Sequence, residues 1–103
     1  MVENATMYGI TAVRFAGTQV VEAMMGLIDT TRSRWDLSPA PTRVTEVVDR
    51  LVEGDRVVSM FVDRDGRLRP GPEVKVDVLP EGIETLALAE DAPGRSLRDL
   101  PRF

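Results

Sequence analysis

In the stretch Glu73 to Leu88 (EVKVDVLPEGIETLAL) polar and apolar positions alternate with a period of two from Glu73 to Val78 and are followed by the turn formers Pro80-Glu81-Gly82. That triplet suits a three-residue hairpin loop: Pro presets φ for a type I turn and Gly takes the left-handed position after it. The turn then sets the register. Leu79 falls opposite Ile83, Asp77 opposite Thr85, Val76 opposite Leu86, Lys75 opposite Ala87 and Val74 opposite Leu88. Val74, Val76, Leu86 and Leu88 share one apolar face; Lys75, Asp77 and Thr85 share the other, as a half-buried antiparallel pair requires. Val78 opposite Glu84 is the exception, close enough to the turn for the carboxylate to reach water. A slip of one residue would bury Lys75 and Asp77 unpaired, which is prohibitively costly.

A second hairpin is expected near the start of the chain. MYGITAVRF, from Met7, is rich in β-branched and aromatic residues and closes at Ala16-Gly17-Thr18. The following QVVEAMMGLID is ambiguous, because Val20, Val21, Met24, Leu27 and Ile28 would also line one face of a helix over 19–28. Register favours a strand. A two-residue II′ loop at Gly17-Thr18 sets Tyr8 opposite Leu27, Gly9 opposite Gly26, Ile10 opposite Met25 and Ala12 opposite Ala23. One face then carries Tyr8, Ile10, Ala12, Met25 and Leu27. The opposite face carries Met7, Phe15, Val20, Met24 and Ile28, relieved only by Thr11 and Glu22, and is expected to be covered by the C-terminal tail or by a second copy of the chain.

Residues 29–41 (DTTRSRWDLSPAP) hold turn formers and are expected to form a connecting loop with Trp35 and Leu37 folded back onto the core. A helix follows, with Thr42 as N-cap, Val44, Val47, Val48 and Leu51 on one face, Glu46 and Asp49 toward solvent, and Gly54 at C′. Its valines have poor helix propensity, so packing must stabilise it. RVVSMFVD at 56–63 is a strand ending in the turn Asp63-Arg64-Asp65-Gly66, and Pro70-Gly71-Pro72 is expected to force an irregular excursion before the strand at 73. The pattern predicts a single α+β domain over 1–103: a mainly antiparallel sheet of about five strands, in the order ββαβββ, packed with one main helix. Residues 1–6 are expected to be disordered, and residues 89–103 to form a tail that docks on the core through Leu97, Leu100 and Phe103.

Three segments, ITAVRF at 10–15, VTEVVDRLVEGD at 44–55 and LRDLPRF at 97–103, resemble the small bacterial proteins grouped as the DUF3892 domain family. The resemblance spans residues 7–103 and implies an α+β domain with an antiparallel sheet and one main helix. It implies no particular activity.

Composition narrows the chemistry. Without His, the chain lacks Ser-His-Asp and Cys-His nucleophile activation, imidazole metal ligation and the usual neutral-pH base; without Cys, thiolate chemistry and disulfides are also absent. The formal charge of −4 disfavours nucleic acid as a partner. No signal-peptide pattern or membrane-length apolar run occurs, so the expected location is the cytoplasm, with no membrane partner and no cofactor.

Asp63 and Asp65 suggest part of a calcium loop, but the other ligands are missing and a turn explains them. Asp77 and Glu84 point to opposite faces, so they cannot act as an acid–base pair, and Lys75 suits a solvated strand position. The candidate partner-binding residues are Trp35, as an anchor or a core lid; the basic run Arg64, Arg67 and Arg69; and Phe15 and Met24 on the apolar hairpin face. The function expected is that of a non-enzymatic binding or assembly module, engaging a protein partner or itself through a sheet edge or that face. The alternative is a small enzyme using carboxylates and Arg on a polar or anionic substrate.

Overall fold

The computed structural model describes residues 6–89 and 96–103. β1 (Thr6–Ala16) and β2 (Gln19–Asp29) form the first hairpin, and β2 is a strand along its whole length. Gly17 has φ of +64° while Thr18 does not enter the positive-φ region, as a II′ turn demands. β3 (Arg34–Arg43) follows a turn at 30–33, then α1 (Val44–Val52), β4 (Val57–Val62), β5 (Leu68–Val78), β6 (Glu84–Leu88) and a single 3-10 turn, Leu97–Asp99. The six strands form one sheet in the order β3-β2-β1-β4-β5-β6. All neighbours are antiparallel except β1 and β4, which run parallel at the centre. The chain is therefore α+β, with one α-helix among the described residues.

The β5–β6 hairpin has the register its turn dictates, from Val74↔Leu88 to Val78↔Glu84. The Leu79 N–H donates to Ile83 O at 2.9 Å, and Gly82 has φ of +82°. Thr85 departs from its expected polar surroundings. It is buried, and its hydroxyl has no hydrogen-bond partner among the described residues.

Four further expectations are corrected. Residues 34–43 form a strand and not a loop; β3 is the sheet edge, where Pro39 and Pro41 remove donors without breaking an interior ladder. Leu37 is 62% exposed and not folded onto the core. β5 runs unbroken through Pro70-Gly71-Pro72, with an irregularity opposite β4 where the Ser59 hydroxyl donates to Pro72 O at 2.7 Å. Arg43, not Thr42, is the residue before α1, and the Thr42 hydroxyl donates to Ala40 O at 3.0 Å instead of capping the helix. The other end of α1 is as expected: Gly54 has φ of +94°, with Gly54 N–H to Leu51 O and Asp55 N–H to Arg50 O closing a Schellman motif.

The first hairpin has the expected pairs Tyr8↔Leu27, Gly9↔Gly26 and Ile10↔Met25, but Ala12 faces Met24 and Val13 faces Ala23. Thr11 is an extra residue in β1 and Val21 an extra residue in β2, so two bulges offset one another and the register is restored at Phe15↔Val20. The first bulge inverts the alternation beyond it. Val13 and Phe15 consequently join Ile10 against the helix, together with Val20 and Ala23. The apolar face expected from an unbroken ladder is thereby dismantled: Phe15 and Val20 enter the main core, while Met7 and Ile28 enter a second cluster with Val58, Met60 and Trp35. Val57 belongs to the first cluster and Val58 to the second, so the two lie on opposite faces of the sheet.

Val44, Val47 and Val48 of α1 pack on the main core. The tail packs there too, with Leu97 and Leu100 buried, and the Val13 N–H donates to Pro101 O at 2.9 Å. Arg102 stacks on Phe15 at 4.4 Å and Arg14 on Phe103 at 4.8 Å. The disorder expected of residues 1–6 concerns positions 1–5, outside the described residues; Thr6 opens β1 opposite Asp29.

Candidate functional site

Burying Val44, Val47 and Val48 leaves the rest of the α1 surface to polar residues. Glu46, Asp49 and Arg50, at i, i+3 and i+4, line one flank of the helix. That flank stands beside the β2–β3 hairpin and bounds a cleft of about 570 Å³. Tyr8, Met25 and Leu27 contribute from β1 and β2, and Leu37, Ser38, Ala40 and Thr42 from β3. The size is that of a small-molecule site, and the lining mixes apolar surface with a few polar groups.

The charges in the cleft are not equivalent. Arg50 is held by Glu53 at 3.0 Å and Asp55 at 3.6 Å, and it lines the cleft together with Tyr8. Glu53 above all, with Tyr8 and Asp55, holds its guanidinium charged even beyond its usual high range. Glu46 and Asp49 have no ion-pair partner among the described residues. The cleft therefore presents two uncompensated carboxylates beside a neutralised guanidinium. A groove of similar volume at the start of α1 gathers Glu22, Arg43 and Glu84, and there Glu22 is already bound to Arg14 at 3.1 Å.

The residues singled out in the sequence lie apart from the cleft, and of them only Arg64, Arg67 and Arg69 lie together, at the β4–β5 turn. Trp35 is half-buried on the opposite sheet face, over Gly9 and Gly26, beside a space of only about 120 Å³. Arg64 and Arg67 are exposed at the β4–β5 turn. Arg69 donates to Asp63 Oδ2 at 2.8 Å, and Asp63 Oδ1 accepts the N–H groups of Asp65 and Arg67. The Arg69 hydrogen bond, then the Arg67 and Asp65 amides, hold the Asp63 carboxyl below its ordinary value, which makes this a self-contained turn. Phe15 lies under Arg102, and Met24 is half-buried opposite Pro41.

Tyr8, Glu46, Asp49 and Arg50 were not among those candidates. The spacing of the three helical residues was visible, but its meaning depends on β3 rising beside them. No protein-family model matches the chain, and no match was found among the curated proteins or the solved structures. No helix among the described residues is long and apolar enough to cross a membrane.

Proposed function

We propose that the chain is a small non-enzymatic binding module whose ligand site is the cleft between α1 and the β2–β3 hairpin. The supporting observation is the convergence of Tyr8, Glu46, Asp49 and Arg50 on one cleft of ligand size, with Met25, Leu27 and Leu37 as its apolar part. The lack of His and Cys weighs against nucleophilic catalysis there. The lack of Cys also suits a reducing compartment, so a bacterial cytoplasm is the proposed location.

An enzyme acting on a polar or anionic substrate is the alternative, and it would draw on the same convergence of Arg and carboxylates. Two features favour binding instead. Glu46 and Asp49 are open to water, so the cleft does not shut solvent out from around them. Arg50 is already engaged by two carboxylates and offers an anion little uncompensated charge.

Self-association through a sheet edge has less support. One edge, β3, carries Pro39 and Pro41, and the other, β6, is five residues long.

A fragment titration followed by amide NMR tests the proposal. Saturable shifts should map to Met25–Leu27, Leu37–Thr42 and Glu46–Arg50, with each ligand recovered unchanged. Shifts centred on Trp35, or chemical turnover of a bound fragment, would refute it.

A further inference from the structure

Resting on that proposed site, we infer that its ligand is an organic cation: a protonated amine on an apolar body. Charge and shape in the cleft lead to the same choice. Arg50 is neutralised by Glu53 and Asp55, leaving Glu46 and Asp49 as the charges of the cleft without counter-ions among the described residues. A cation entering from solvent would meet both on one helix flank, one turn apart. Met25 and Leu27 supply an apolar surface for the body of the ligand, and Leu37 of β3, 62% exposed, would gain burial from an occupant of the cleft. An anion meets the reverse. It would have to displace Glu53 or Asp55 from Arg50 while facing two unpaired carboxylates.

The decisive experiment uses the intact chain and probes matched in shape: phenethylamine, protonated at neutral pH, against 3-phenylpropionate, its anionic counterpart. Amide NMR titration should show phenethylamine saturating shifts at Leu37–Thr42 and Glu46–Arg50, with phenylpropionate leaving them unmoved. Glu46→Gln and Asp49→Asn should each weaken the amine about fivefold, the equivalent of roughly 1 kcal/mol for one solvent-screened charge contact. Their thermal midpoints should stay near that of the parent, since both side chains are exposed and unpaired. A backbone-capped lysine amide tells the sources apart: binding as tight as that of phenethylamine assigns the cation to a protein side chain, weaker binding to a free small molecule. Phenylpropionate binding in the cleft as well as the amine would overturn the inference and leave the site standing. Failure of both probes to shift the cleft would overturn both, and unchanged amine affinity in both variants would remove the carboxylates from recognition.

Discussion

Gly9 and Gly26 face each other across β1 and β2, and the Trp35 ring lies over the pair. A Cβ on Gly26 would come within 2.5 Å of Leu37 O and 2.8 Å of Pro39 N, the backbone of the neighbouring strand. A Cβ on Gly9 would meet side chains instead: Ile28 Cδ1 at 2.7 Å, Met60 Cγ at 3.0 Å and Trp35 Cη2 at 3.1 Å. Both missing side chains thus make room for the Trp35 ring, but Gly26 also makes room for the backbone of β3, which cannot give way without moving a strand.

Gly26→Ala should therefore cost more than Gly9→Ala, about 1–3 kcal/mol as an overpacked site. Denaturant melts compare the two. Because Trp35 is the only tryptophan, its emission should also shift to the red in Gly26→Ala as β3 is pushed away.

Gly82→Val should destabilise by about 1 kcal/mol or more, since a β-branched residue is strained at positive φ. Nothing lies within 4 Å of an added Cβ at that position, so any loss reports backbone strain and not a clash. An unchanged denaturation midpoint would contradict the turn geometry.

Leu100→Ala should cost about 2–5 kcal/mol, as a truncation at a position only 2% exposed in the main core. Hydrogen exchange at the Val13 amide, which donates to Pro101 O, should accelerate with it. Removing residues 96–103 strips Leu97 and Leu100 from the core and Arg102 from Phe15, and should make the protein aggregate in sedimentation experiments.

Acid should weaken the fold partly through Asp63 and Asp99. Asp99 is held below its ordinary value by the Ser96 N–H and then by the Ser96 hydroxyl, both at 2.8 Å. A carboxyl lowered in the folded state contributes stability above its unfolded pKa, and that contribution fades as pH falls through the folded value. The loss should thus begin near pH ~4 and deepen below it. Asp63→Asn and Asp99→Asn should each be less stable at neutral pH and show a shallower decline in acid. A decline as steep as that of the parent would show that these hydrogen bonds contribute nothing.

The two hairpin turns and the helix end could be read from local residues, because Pro80-Glu81-Gly82, Gly17-Thr18 and Gly54 constrain φ and ψ within a few positions wherever they occur. Period-two alternation around a known turn was enough to pair Val74 with Leu88, whereas Gly9 meets Gly26 as expected because two bulges between them and the turn cancel. The bulges at Thr11 and Val21 have no such local signature. They follow from fitting Val13, Phe15 and Ala23 under α1, which is a matter of packing between segments distant in sequence. β3 was hidden for a similar reason: two prolines signal a loop unless the strand lies at an edge, and edge position belongs to the assembled sheet. The cleft inherits that dependence. Glu46, Asp49 and Arg50 occupy an ordinary solvated helix flank until β3 stands opposite them, and the long-range pairing of β2 with β3 turns that flank into one wall of a site.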